Sequence, residues 1–144
     1  SRRYTDENLS FYEPSEFREQ HPSNRQASTQ VTIDPVVSYY DAESATTISG
    51  PASMALHNHH KSSLALYEDL IQAGVCREQA RGALPQNSYT EYYGTVNLNN
   101  ILKFIDLRLD SHAQWEIQRV AAACLEIATD LWPVTVGAYR DIRK

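Results

Sequence analysis

The sequence predicts an α+β chain, mostly helical with little strand, and three observations carry that reading. Apolar residues at Ala113, Ile117, Val120, Ala121, Cys124, Ala128 and Leu131 recur at helical spacing, the strongest periodic signal present. A second stripe, Met54, Leu64, Tyr67, Leu70 and Ile71, makes a helix of the stretch from Pro51 to Ala73. Against these, only residues 88–97, "SYTEYYGTVN", have the Tyr, Thr and Val content of a strand or extended segment.

In chain order, Arg2 to Thr5 is expected to form a short strand and Asp6 to Asn8 a polar turn. Pro14-Ser15 then opens a short helix, with Ser15 as N-cap and Glu16 in the first turn. Residues 21–30, "HPSNRQASTQ", lack either period and read as a loop. "DPVVSYYDAESATT" starts a helix, with Asp34 as cap and Pro35 in the first helical position, which Gly50-Pro51 interrupts or restarts. The helix from Pro51 closes at Gly74. Cys76 to Ala80 is a brief helical turn, and Pro85 ends the following "ARGALP". Asn97 caps a helix through about Leu109 that buries Ile101, Leu102 and Ile105. Asp110 or Ser111 caps the next, which Trp132-Pro133 ends, and a weaker helix follows.

Bulk properties narrow the function. With 144 residues, 42% hydrophobic and 22% charged, the chain suits one globular domain. A net charge of −5 argues against a general nucleic-acid binder, which needs an excess of Lys and Arg. No run approaches the roughly 20 apolar residues of a membrane span, and no secretory signal pattern is present. Cys76 and Cys124 form neither a metal spacing nor a disulfide framework, so reduced thiols and a cytoplasmic location are expected. "HNHH", residues 57–60, has no acidic or Cys partner at ligand-like spacing, and the expectation is a solvated or interface face with no metal. Tyr39-Tyr40 and Tyr92-Tyr93 read as core or interface, with one of the latter pair facing inward if the segment is a strand.

The polar cluster at the junction of the last two long helices stands apart. Arg108, Asp110, Ser111, His112 and Gln114 fall within "LRLDSHAQ". An unbroken helix puts Arg108 and His112 on one face. A break at Asp110 or Ser111 instead sets free N–H groups beside Arg108, where an anion is favoured. Asn97, Asn99, Asn100 and Lys103 lie one helix length upstream, and Arg81 is a further cation. Such a set suits a ligand with phosphate and several carbonyls, such as a nucleotide; ordinary caps and a solvated Arg–His pair are the plain alternative.

These residues also carry a resemblance. "ARGALPQNSYTEYYGTVNLNNILKFIDLRLDSHAQWEIQ", residues 80–118, resembles the C-terminal signature of the flavin-dependent thymidylate synthases. That family shows an AR-x-x-LP turn, a YT segment, an N-x-R helix start and LR-x-D-SHAQ-x-EI. "SRRY" is similar to the end of the family's RHR-x7-S motif, with Ser1 as its serine, and "YEPSEFREQ" and "NRQAS" resemble its variable middle. The resemblance implies a mostly helical α+β fold with a small antiparallel sheet, lacking the family's N-terminal part, so that residues 1–144 form the C-terminal portion of a single synthase domain. It implies conversion of dUMP to dTMP, with methylenetetrahydrofolate as carbon donor and NADPH-reduced FAD as hydride source. No protein nucleophile attacks the uracil in that family.

Position by position, Arg108 matches the catalytic arginine that contacts the pyrimidine and favours ionisation at N3. Arg81 and Arg3 match dUMP-binding arginines, with Ser1 and Arg2 near the same nucleotide. Asn97 and His112 match positions along the flavin, together with Leu98, Asn99 and Lys103. Two positions depart: the family usually has Arg at Asn99 and Asn at Lys103, so one cation is lost and another gained four residues on. The resemblance further implies a homotetramer with shared active sites. The alternative is a truncated, non-catalytic remnant that keeps the fold and the subunit interface.

Overall fold

The computed structural model describes residues 9–25 and 27–142. The strand expected at Arg2 to Thr5 and the turn at Asp6 to Asn8 lie outside them. The elements in order are β1 (Phe17–Gln20), β2 (Ser28–Ile33), β3 (Val36–Asp41), β4 (Thr46–Pro51), α1 (Ala52–Gln72), α2 (Arg77–Ala80), a 3-10 turn (Arg81–Ala83), α3 (Leu98–Leu109), α4 (Trp115–Leu131) and α5 (Pro133–Ile142). The α+β class holds, mostly helical, with the strands divided between two two-stranded sheets, β1–β2 and β3–β4. The chain forms two compact units: residues up to Phe17 with Thr32–Tyr92, and Arg18–Val31 with Tyr93 onward.

In the first unit the helix expected from Asp34 is instead an antiparallel hairpin, with Val36 opposite Pro51 and Asp41 opposite Thr46. The β-branched and aromatic residues of "VVSYY" and "TTI" prefer a pleated surface over a helix. The Asp41 carboxylate holds the connecting turn, accepting from the Ser44 N–H at 2.9 Å and its hydroxyl at 2.5 Å. Asp34 does act as a helix cap, but for α1. Its carboxylate accepts from the backbone N–H of Ser53 at 2.9 Å and from the Ser53 hydroxyl at 2.6 Å, while Pro35 O accepts from Ala52 N at 2.9 Å. Those bonds, the Ser53 hydroxyl foremost, hold the Asp34 carboxyl below its ordinary value. At the other end of α1, Gly74 takes φ 87° as expected, and Val75 N and Gly74 N close back on Leu70 O and Ile71 O in a Schellman motif.

The "HNHH" stretch of α1 is not simply a solvated face. His60 is 3% exposed, stacked on Phe11 with ring centroids 4.7 Å apart. The side-chain amide of Asn87 donates to Tyr12 O at 2.8 Å and lies 2.9 Å from His60 Nε2. With that amide donating, His60 Nε2 accepts, so Nδ1 carries the proton and donates to Glu13 Oε1 at 2.8 Å. His57 Nδ1 meets the same oxygen at 3.1 Å. No group among the described residues is arranged to hold a metal ion. The cluster is a clasp that ties residues 11–13 and Asn87 to α1.

Hydrogen bonding from His60, ahead of the contribution from His57, lowers the Glu13 pKa from its ordinary 4.5. A carboxyl with a depressed folded-state pKa stabilises the fold above its unfolded value and loses that contribution as the pH falls through the folded one. Thermal melts between about pH 6 and pH 3 are therefore expected to show an acid-sensitive component that Glu13→Gln diminishes. An unchanged pH profile in that variant would remove Glu13 from the clasp.

Two further expectations fail for identifiable reasons. No helix starts at Pro14-Ser15; a bend leads into β1, which pairs with β2, and that strand claims the end of the expected 21–30 loop. Of the strand or extended segment expected at residues 88–97, no strand forms; Ser88 makes an isolated bridge and residues 89–97 have no regular secondary structure. Among the described residues the neighbouring chain offers one bridge, Phe11 with Ser88, and Pro14, without an N–H, soon follows on the partner side. Tyr92 and Tyr93 are both exposed, and no strand among the described residues gives them an inner face.

The second unit is built on α3. Leu102 and Ile105 are buried against Ala128 of α4 and Val136 of α5, with Leu98, Ile101, Phe104 and Leu125 packed around them. Asn97 caps α3 as expected, its side chain accepting from Asn100 N at 2.9 Å. At Asp110 the backbone turns to ψ 138° and α3 ends. Neither Asp110 nor Ser111 caps α4, which starts only at Trp115 with Gln114 in the cap position. Residues 110–113 instead form a turn, with Ala113 N bonded to Asp110 O at 3.0 Å. Trp132, at φ −136°, breaks the chain before Pro133 opens α5. Of the predicted α4 stripe, Ala121 and Ala128 are buried, whereas Val120 and Leu131 are exposed. No described helix is long and apolar enough to cross a membrane.

Candidate functional site

The break after α3 produces an open hollow of about 600 Å³, lined by Lys103, Asp106, Arg108, Asp110 and His112. Leu102 and Ile105 are buried in the core, whereas Lys103, Asp106 and Arg108 of the same helix are exposed. The two carboxylates are engaged locally. Asp106 accepts from the Tyr139 hydroxyl. Asp110 Oδ1 accepts from the backbone N–H of His112 at 2.8 Å and lies 2.8 Å from His112 Nδ1. These bonds, the backbone one first, hold the Asp110 carboxyl below its ordinary value. Arg108 makes no side-chain hydrogen bond or ion pair among the described residues. A guanidinium presents five donors in a planar fork, so the hollow offers an unengaged, permanently charged group to a ligand with carbonyl or phosphate oxygens.

The start of α4 beside this turn is anchored firmly. Arg18 of β1 lies 4.5 Å from the Trp115 ring centroid, bonds Glu116 at 2.7 Å and donates to the Ser28 hydroxyl at 3.1 Å. Arg119 approaches the same ring at 5.2 Å. A charge-assisted bond combined with guanidinium–aromatic contact fixes the first turn of α4.

Of the residues singled out from sequence, Arg108, Lys103 and His112 line this hollow together. Asn97, Leu98 and Asn99 stand at the opposite, N-terminal end of α3. The Asn97 oxygen is engaged as the cap, and the Leu98 side chain packs on the core, so a ligand there would meet the Leu98 backbone and not its side chain. Asn99 is exposed one turn before Lys103. Arg81 belongs to the first unit, in the 3-10 turn, where its Nε donates to Glu78 O at 3.2 Å. Ser1, Arg2 and Arg3 lie outside the described residues. Sequence reasoning treated Asp110 as a helix cap and did not place Asp106 in the site. The local clue for Asp110 is its spacing from His112, two residues on, which suits a side-chain turn as well as a cap.

Comparison with known proteins gives the chain its family. The family described as thymidylate synthase complementing protein matches residues 1–134. The chain is 33% identical over 139 residues to the flavin-dependent thymidylate synthase of Thermosipho melanesiensis, covering 96% of this chain and 56% of that one. It is 36% identical over 141 residues to that of Thermus thermophilus, at 98% and 47% coverage, and 34% identical to that of Rickettsia typhi, at 99% and 50%. The chain belongs to the family of the flavin-dependent thymidylate synthases. It spans about half the length of the curated relatives it matches.

Proposed function

We propose that this chain is part of a cytoplasmic flavin-dependent thymidylate synthase that converts dUMP to dTMP. Arg108 carries the reading: a guanidinium with no described side-chain partner, at a helix break, lining a hollow with Lys103 and His112. Beside the uracil ring, a fixed cation favours the N3-ionised form and stabilises negative charge that develops on the ring oxygens. Because guanidinium does not deprotonate, Arg108 acts through charge and hydrogen bonding and not as a proton carrier. Arg81 and Arg3, with Ser1 and Arg2 alongside, would hold the nucleotide, their forked donors suiting phosphate.

The donors present fit a flavin nucleotide. Asn97, the Leu98 backbone, Asn99, Lys103 and His112 would hold it, the Lys103 cation standing near the place where the family's usual arginine is replaced by Asn99. Bound FAD, reduced by NADPH, would supply the hydride, with methylenetetrahydrofolate supplying the carbon. A homotetramer, whose subunits share the active sites, would complete the pocket. Exposed Val120 and Leu131 on α4 are suitable material for such an interface.

Titration of the purified chain with FAD, read by flavin fluorescence and repeated with dUMP, tests this reading. Saturable FAD binding that dUMP strengthens is the expected result. Absence of FAD binding from a folded chain, even when the part of the family's sequence that this chain does not span is added in trans, would favour a non-catalytic remnant.

A further inference from the structure

We propose that Asp110 is a positioning residue of the hollow: it fixes His112 with its proton on Nδ1, leaving Nε2 as the nitrogen that meets the ligand. The site role rests on the nucleotide reading above; the tautomer does not. The argument begins with the carboxylate. An ionised Asp accepts and cannot donate, so the 2.8 Å contact between Asp110 Oδ1 and His112 Nδ1 requires the hydrogen to reside on Nδ1. The depressed Asp110 pKa keeps the carboxyl ionised over a wider range of pH. The same oxygen accepts the His112 backbone N–H at 2.8 Å, and Ala113 N closes on Asp110 O at 3.0 Å. Asp110 therefore ends α3 just beyond Arg108, folds the chain into the next turn and holds the imidazole within it.

One consequence concerns what the ring can do. With Nδ1 engaged, neutral His112 offers Nε2 as an acceptor, and protonated His112 offers Nε2–H as a donor. Proton exchange with a ligand passes through Nε2 in both cases. Lys103 and Arg108 only donate, so His112 Nε2 is a group of this hollow able to receive an N–H, of the kind an imide edge presents. Asp110 thereby makes the hollow able to distinguish a ligand edge that alternates donor and acceptor from a simple anion.

Long-range ¹⁵N–¹H NMR of imidazole-labelled chain, with the His112 signals assigned from a His112→Gln spectrum, reads the tautomer directly. In the unsubstituted chain His112 Nδ1 is expected to resonate as a protonated, pyrrole-type nitrogen and Nε2 as pyridine-type. Asp110→Ala should shift His112 toward the Nε2–H form, and Asp110→Asn, whose amide oxygen can still accept, should retain Nδ1–H. Predominant Nε2–H in the unsubstituted chain, or no change in Asp110→Ala, would overturn the proposal. Should both variants fail to fold, the unsubstituted spectrum alone decides. Addition of FAD or dUMP is expected to move the Nε2 resonance, with Nδ1 following weakly; a response confined to Nδ1 overturns the ligand-facing role. Absence of any ligand response with Nδ1–H in place would refute the nucleotide reading and, with it, the site role of Asp110, leaving only the tautomer assignment.

Discussion

Arg108→Ala, placed in a complete synthase of this sequence, is expected to lower dTMP formation by about 10²–10³-fold, the usual consequence of deleting one preorganised group that stabilises developing charge. The loss should fall mainly on kcat, because the charge on the pyrimidine is greatest in the transition state. The fold should survive: Arg108 is exposed and has no described side-chain hydrogen bond or ion pair to lose. Circular dichroism and melting temperature are therefore expected to match the unsubstituted protein. Arg108→Lys separates two contributions, since it keeps the charge and removes the planar fork, and an intermediate rate is expected. Retained turnover in Arg108→Ala would end the assigned role.

Ile105→Ala is expected to act in the opposite way, by disabling the platform and leaving the functional groups intact. Ile105 is 2% exposed and packs with Leu102, Ala128 and Val136, which join α3 to α4 and α5. Truncating a buried aliphatic side chain costs about 2–5 kcal/mol, a large fraction of the stability of a typical small domain. The relief available is small, because Ala128 contributes little volume with which to fill the space. Urea unfolding followed by circular dichroism is expected to show a loss of unfolding free energy of that size, read as a lower midpoint at unchanged slope. Ligand binding should weaken in step with unfolding and recover at low temperature or on addition of excess ligand. A drop of less than about 1 kcal/mol would show that this core is not what holds the second unit together.

The long helices were legible because their signals are local and repetitive. The stripe at Leu102 and Ile105, the Asn97 cap and the Gly74 terminus each state their structure within a few residues. Residues 34–47 were misread because a good cap and a proline outweighed a β-branched, aromatic composition; whether that stretch coils or pairs is decided by residues 46–51, its partner strand. His60 shows a different limit. Its burial depends on Phe11, Glu13 and Asn87, which are far from it in sequence, so no window around "HNHH" contains the reason. The polar cluster near Arg108 was visible as composition, and the alternatives of continuous helix or break were both open. Asp110 settled them by bonding to His112 in place of α4.

Asp34 and Pro35 bond to Ser53 and Ala52, so the chain leaves for the β3–β4 hairpin and returns from it at the same point. The hairpin is thus a closed detour: the entry of α1 is set by residues at its base and not by the path length between them. Additional residues at its tip, around Ala42 to Ala45, would raise the cost of closure by only about 0.6 kcal/mol per doubling of loop length. Such a locus lets a lineage, or an engineer inserting a tag, vary the outer surface while the first turn of α1 keeps its anchor.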